Sequence, residues 1–156
     1  MERFVDHLTQ LREQARGDNP EQVLAALSLI RQQCEGVAGD RVFNETKRAV
    51  VEAAVSADSR HESTEDIQAI ALEILVRDPD FTVRTLIAEA LGEDVTRAKG
   101  ALSTLVGIEI YTSLSAQHVH EILDAALRLE AHPDREIEFR ASNLKNAMAH
   151  IVREDG

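Results

Sequence analysis

A short turn at Asp78-Pro79-Asp80 lies between two segments whose apolar residues recur at helical spacing. The apolar positions are residues 72, 75 and 76 before the turn, and residues 83, 86, 87, 90 and 91 after it. Steps of three and four residues place these side chains on one face of a helix, so the pattern predicts two amphipathic helices packed back to back. The turn therefore predicts an architecture of paired helices, and it indicates no reaction.

Similar helical patterns fill the rest of the chain, and short turns separate them. Small polar residues at the starts of these patterns can accept hydrogen bonds from the free N–H groups of a first helical turn. The residues that we predict as helix N-caps are Asn19, Asp40, Ser63 or Thr64, Asp80 and Ser115. Regular alternation of helix and turn predicts a single all-α domain over residues 1–156.

The segment from Asp94 to Tyr111 is the one place where a strand competes with a helix. Gly100 and Gly107 lower helix propensity, and residues 108–112 alternate in the manner of a strand. A lone strand would have no partner to pair with in this chain. We therefore predict helix here too.

Residues 66–92 resemble one unit of the HEAT and armadillo α-helical repeats. The resemblance lies in Asp80-Phe-Thr-Val83-Arg84, followed by Ala88-Glu-Ala90-Leu91-Gly92, which are similar to the second helix of a HEAT unit. It implies a short stack of antiparallel helix pairs, a HEAT-like α-solenoid, in which the second helix of each pair lines a concave binding surface. A compact bundle of six to eight helices is the alternative architecture.

The charge balance restricts the partners of this chain. Seventeen lysine and arginine residues against 28 acidic ones give a net charge of −11, which repels phosphate backbones and predicts no binding to nucleic acid. The single cysteine, Cys34, allows no internal disulfide, and the chain shows neither a signal peptide nor an apolar run of membrane-span length. We expect a soluble, cytoplasmic protein without membrane contact.

Catalytic and metal-binding patterns are scarce. The most suggestive cluster is His118-Val-His120-Glu121, in which His118 and Glu121 lie three residues apart on a predicted helix, whereas His118 and His120 point in different directions. A solvated first helical turn explains the same residues. Phosphate-binding loops are absent. We predict no catalytic residues, no metal and no cofactor.

The last predicted helix has two ridges. Its apolar residues are Ile137, Ala141, Leu144, Met148 and Ile151, and a second series at the same spacing comprises Phe139, Asn143, Asn146 and His150. An aromatic residue and two amides are unusual on a solvent-facing helix, where Glu, Lys and Arg prevail. We predict that this second ridge, with Arg84 nearby, binds a partner protein. The alternative is that Phe139 belongs to the core and the amides bridge neighbouring helices.

These observations favour a protein that binds another protein, and that partner is expected to be basic. An adaptor, a regulatory subunit or an inhibitor of a basic enzyme would fit. Two other classes remain open, namely a small helical enzyme or metal protein that uses His118, Glu121 or His150, and a structural homo-oligomer.

Overall fold

A computed structural model of the chain describes residues 2–17, 19–56 and 64–155. These ranges contain eight α-helices, one 3-10 turn and no strand, which confirms the predicted all-α class. The helices are α1 (Glu2–Ala15), α2 (Pro20–Gln33), α3 (Gly39–Ser56), α4 (Thr64–Leu75), α5 (Pro79–Ala90), α6 (Val95–Gly107), α7 (Ala116–Leu129) and α8 (Arg135–Asp155), and the 3-10 turn is Ile108–Ile110.

Residue contacts divide the chain into two compact units, Met1–Arg77 and Asp78–Gly156. The division falls at the Asp-Pro-Asp turn, so α4 and α5, the two helices of the segment that resembles a HEAT unit, belong to different units. The single-domain organisation and the HEAT-like stack remain predictions.

In the first unit, α2 and α3 each pack on the other three helices. Helix α1 packs on α2 and α3, and α2 and α3 both pack on α4. The inward face of α3 is buried, and it includes Val42, Phe43, Thr46, Val50 and Ala53. The hydroxyl of Thr46 donates to the Val42 carbonyl at 2.7 Å, so this polar group is satisfied within the core.

The turn between α2 and α3 is fixed by Arg77, which follows α4. Its guanidinium donates to the Cys34 carbonyl and to Oδ1 of Asp40, both at 2.6 Å. The prediction that Asp40 is an N-cap is wrong, because α3 already begins at Gly39 and Asp40 lies within its first turn.

Burial raises the pKa of the Cys34 thiol, and the Arg77 charge only partly opposes that effect. A raised pKa disfavours the nucleophilic thiolate.

In the second unit, α5 packs on α6 and α7, and α8 packs on α6 and α7. The apolar ridge of α8 is buried from Ile137 to Met148, while Ile151 is half-buried. The segment after Asp94 is helical as predicted, because α6 leads directly into the 3-10 turn. Ile108, the first residue of that turn, is buried.

For the fourth helix, Thr64 is already the first residue of α4, and Ser63 lies outside the described residues. Three other predicted N-caps can be compared directly with observed caps. Asn19 accepts from the backbone N–H groups of Glu21 and Gln22, and Ser115 accepts from that of His118, so both predictions are confirmed. The prediction for Asp80 is wrong. The N-cap of α5 is Asp78, whose Oδ1 accepts from Phe81 N at 3.1 Å, with Pro79 at the first helical position. Proline favours that position because its missing N–H would have no helical partner there.

Candidate functional site

The second ridge of α8 is exposed to solvent. Phe139 is 66 % exposed, and Asn143, Asn146 and His150 are exposed as well. The opposite face of the same helix is buried, so the sequence pattern correctly separates the two ridges. We call Phe139, Asn143, Asn146 and His150 the α8 ridge. Its exposure removes the alternative that Phe139 is a core residue.

Charged residues beside the ridge are engaged with neighbouring helices. Arg140 donates to the Lys99 carbonyl at 3.1 Å and to the Ser103 hydroxyl, which ties one side of α8 to α6. On the other side, Lys145 pairs with Glu130 at 3.0 Å, at the end of α7. These contacts fix the rotation of α8 about its axis, so the uncharged ridge is held outward.

A second tie to α6 involves Lys99, which pairs with Glu136 at 2.9 Å. The hydrogen bond from Lys99, helped by one from Arg140, lowers the pKa of Glu136, and the same bond to Glu136 raises the pKa of Lys99. Both shifts favour the charged forms, so the first turn of α8 is anchored electrostatically to α6.

Arg84 lies elsewhere in the second unit. It is exposed on α5 and lines a groove between α5 and α7, and none of the four α8 ridge residues lines that groove. The structure therefore brings the four ridge residues together, but it places Arg84 in a different feature. We call this feature the α5–α7 groove. It has a volume of about 250 Å³, and its lining residues are Arg84, Ile87, Leu91, Glu121, Asp124, Ala125 and Arg128.

Sequence reasoning missed the groove because Ile87 and Leu91 fit the apolar stripe of α5 and were counted as core. In the structure Ile87 is only half-buried and Leu91 is 41 % exposed. An apolar stripe that extends over residues 83, 86, 87, 90 and 91 is wide for one buried helix face. That width is the signal that could have indicated a partly exposed edge.

The simpler interpretation of the His118 cluster, a solvated first helical turn, is wrong for His118, which is buried. The residue is 9 % exposed, and its Nε2 lies 2.5 Å from Oδ1 of Asp80 on α5. Its Nδ1 is buried and has no partner within the described part of the chain. Glu121, three residues on, accepts from Gln117 at 3.1 Å instead of approaching the imidazole.

The described residues also offer neither a metal-ligand cluster nor a membrane-spanning helix. No three His, Cys, Asp or Glu side chains there are grouped closely enough to hold a metal ion. None of the described helices combines the length and the apolar character needed to cross a bilayer.

Comparison with known proteins gives no match, since no family model, no curated protein and no solved structure is detectably similar to this chain. The interpretation of the site therefore rests on its own chemistry.

Proposed function

We propose that this protein acts by binding another protein and not by catalysis, with the α8 ridge as part of the binding face. The observation that carries the proposal is the exposure of Phe139 on a helix whose opposite face is buried. Binding energy at protein interfaces concentrates in a few aromatic and arginine side chains surrounded by groups that exclude water. Asn143 and Asn146 can supply hydrogen bonds around such an aromatic anchor.

The net charge of −11 supports a basic partner. Acidic surface accelerates the approach of a positively charged protein, whereas an uncharged ridge contributes contact without a cost in charge desolvation. This combination of an acidic surface and an uncharged ridge fits an adaptor, a regulatory subunit or an inhibitor of a basic enzyme. A cytoplasmic location accords with the single, buried Cys34.

We further propose that the helices form a short HEAT-like stack in which the α8 ridge lies on the partner-binding side. Packing between helices that are neighbours in sequence, such as α5 with α6 and α7 with α8, supports such an arrangement.

A homo-oligomer is the second candidate, and the chemistry of the ridge favours it specifically. Side-chain amides donate and accept, so Asn143 and Asn146 of two copies are able to pair with each other. Two molecules of like net charge would also meet with the least repulsion at an uncharged ridge.

The test combines capture with a size measurement. Immobilised protein should retain a basic partner, and Phe139→Ala should weaken binding of that purified partner by more than about 1 kcal/mol. Ile110→Ala is the matched control, because Ile110 is also an exposed apolar residue of the second unit but lies outside the ridge. Equal losses for both variants, or none for Phe139→Ala, would remove the ridge from the binding face. A dimer dissociated by Phe139→Ala in sedimentation experiments would favour the homo-oligomer.

A further inference from the structure

The α5–α7 groove contains one charge of each sign that has no ionic partner within the described residues. Asp124 is already paired with Arg128 at 3.5 Å. Among the described residues, Glu121 accepts only from the neutral amide of Gln117, and no described carboxylate pairs with Arg84. Arg84 and Glu121 stand on opposite walls of the groove, and no ion pair joins them.

These two charges lie at the same end of the groove. The contact between Asp80 and His118 holds the first turn of α5 beside the first turn of α7. Arg84 follows Asp80 by four residues and Glu121 follows His118 by three, so each lies about one helical turn beyond that contact. The wall residues continue along both helices, where Ile87 and Leu91 supply the apolar surface of α5.

Beyond these two charges the α5 wall of the groove is apolar, whereas Asp124 and Arg128 on the α7 wall pair with each other. About 250 Å³ is room for one or two aliphatic side chains, and Leu91 at its edge is 41 % exposed. Amphipathic helices of partner proteins commonly dock by laying their apolar face into a groove that offers apolar surface. The charges at its end then restrict which helix fits.

We propose that the α5–α7 groove binds an amphipathic helix of a partner protein. That helix presents a carboxylate to Arg84, a lysine or arginine to Glu121, and leucine-like side chains to Ile87 and Leu91. The apolar contact supplies most of the affinity, because exposed ion pairs contribute little. The ion pairs supply selectivity, since a helix with like charges in those positions is repelled. This surface is separate from the α8 ridge and does not depend on the function proposed for it.

A designed peptide of about 16 residues, long enough for four helical turns, is a suitable probe. Its central motif is Glu-Lys-x-x-Leu-x-x-x-Leu, which places both leucines on one side of the charges. Adjacent Glu and Lys diverge by about 100° around the helix, and the two leucines lie between those two directions on the same face. Three variant peptides change one feature each, with Gln for Glu, Gln for Lys, or Ala for both leucines.

Binding of each peptide to the full-length protein is measured by fluorescence anisotropy and compared with binding to Arg84→Gln and Glu121→Gln. Loss of the peptide carboxylate should weaken binding to the native protein about three- to fivefold and should have no effect on Arg84→Gln. Loss of the peptide lysine should weaken binding to the native protein similarly and have no effect on Glu121→Gln. Loss of the leucines should weaken binding to every protein by about tenfold or more.

The crossed combinations are the internal control. The peptide without lysine should still lose affinity for Arg84→Gln, because Glu121 is intact in that variant. Failure of the parent peptide to bind, or equal losses in matched and crossed combinations, would overturn the proposal. Circular dichroism of Arg84→Gln and Glu121→Gln verifies that both variants fold. Leu91→Ala, which truncates a side chain at the exposed edge of the groove, should also weaken peptide binding. The Phe139→Ala variant should bind the peptide normally. A failure of the groove proposal can therefore be distinguished from a failure of the α8 ridge as a binding face.

Discussion

The imidazole of His118 on α7 hydrogen-bonds through Nε2 to the carboxylate of Asp80 on α5, at 2.5 Å. Asp80 is 72 % exposed at its side chain, whereas the His118 side chain is only 11 % exposed. The contact therefore joins a solvated carboxylate to a nearly buried ring across 38 residues of sequence. It also fixes the entrance of the α5–α7 groove.

Removing the carboxylate at Asp80 should destabilise the second unit. In Asp80→Ala the Nε2 of His118 loses Asp80 and Nδ1 has no partner among the described residues, and an unsatisfied buried polar group costs about 1–3 kcal/mol. Asp80→Asn keeps an oxygen that can accept from Nε2, so it should lose less. Urea unfolding of the two variants measures the difference, and equal free energies of unfolding would show that the contact does not stabilise the folded protein.

A separate effect is expected at the true N-cap of α5. Asp78→Ala removes the acceptor for Phe81 N and should lower the free energy of unfolding by about 0.5–2 kcal/mol. Asp78→Ser retains a side-chain oxygen and is the matched control, with a loss of only a few tenths. Thermal melts in which Ala and Ser behave alike would argue against the cap.

The two errors in predicting caps have different physical origins. Proline favours the first helical position, and this rule identified Asn19 before Pro20, so the same rule would have identified Asp78 before Pro79. The information was present in the sequence. At Asp40 it was not, because the carboxylate binds Arg77, which is 37 residues away, and no local pattern reveals such a partner.

The same distinction applies to the candidate sites. The α8 ridge was predictable because helical periodicity alone separates Phe139 from Ile137 and Leu144. The α5–α7 groove was not, since it depends on which two helices lie side by side. The burial of His118 was hidden for the same reason. Periodicity assigns residues to faces of a helix, and only packing determines what each face contacts.

Gly39 is expected to tolerate no side chain. A Cβ at this position would overlap the Cys34 carbonyl group, with the carbonyl carbon only 2.8 Å away. Gly39→Ala should therefore shift the turn held by Arg77 and cost about 1–3 kcal/mol, as overpacking does. At Gly36 the nearest atom is the Gln33 carbonyl oxygen at 3.9 Å, so Gly36→Ala should be neutral or slightly stabilising. Denaturant unfolding of the two variants tests this contrast, which similar stabilities would contradict.

The bridge between Lys99 and Glu136 should make stability depend on pH in two windows. Folding lowers the pKa of Glu136 from 4.5, so its stabilising effect is present above that value and is lost as the pH falls through the lower folded-state pKa. Folding raises the pKa of Lys99 from 10.5, so its effect is present below that value and is lost as the pH rises through the higher folded-state pKa.

Near neutral pH, Glu136→Gln should accordingly unfold at a lower urea concentration than the native protein. This gap between the two urea concentrations of unfolding should narrow below pH 4.5. Glu138→Gln is the control, since Glu138 is exposed two residues away and forms no ion pair with the described residues. A gap that stays constant down to strongly acidic pH would mean that the bridge does not act through ionisation.

Phe139 and Phe43 provide a direct test of the assignment of Phe139 to a surface ridge. Phe43 is 5 % exposed in the core of the first unit, and Phe139 is 66 % exposed on α8. Phe43→Ala should lower the free energy of unfolding by the roughly 3–5 kcal/mol that accompanies loss of a buried phenylalanine. Phe139→Ala should change it by no more than about 0.5 kcal/mol, because the ring leaves no cavity behind. Denaturant titrations of both variants give the comparison under the same conditions. A loss at Phe139 comparable to that at Phe43 would mean that the ring is packed in solution, and the ridge would then have to be abandoned as a binding face.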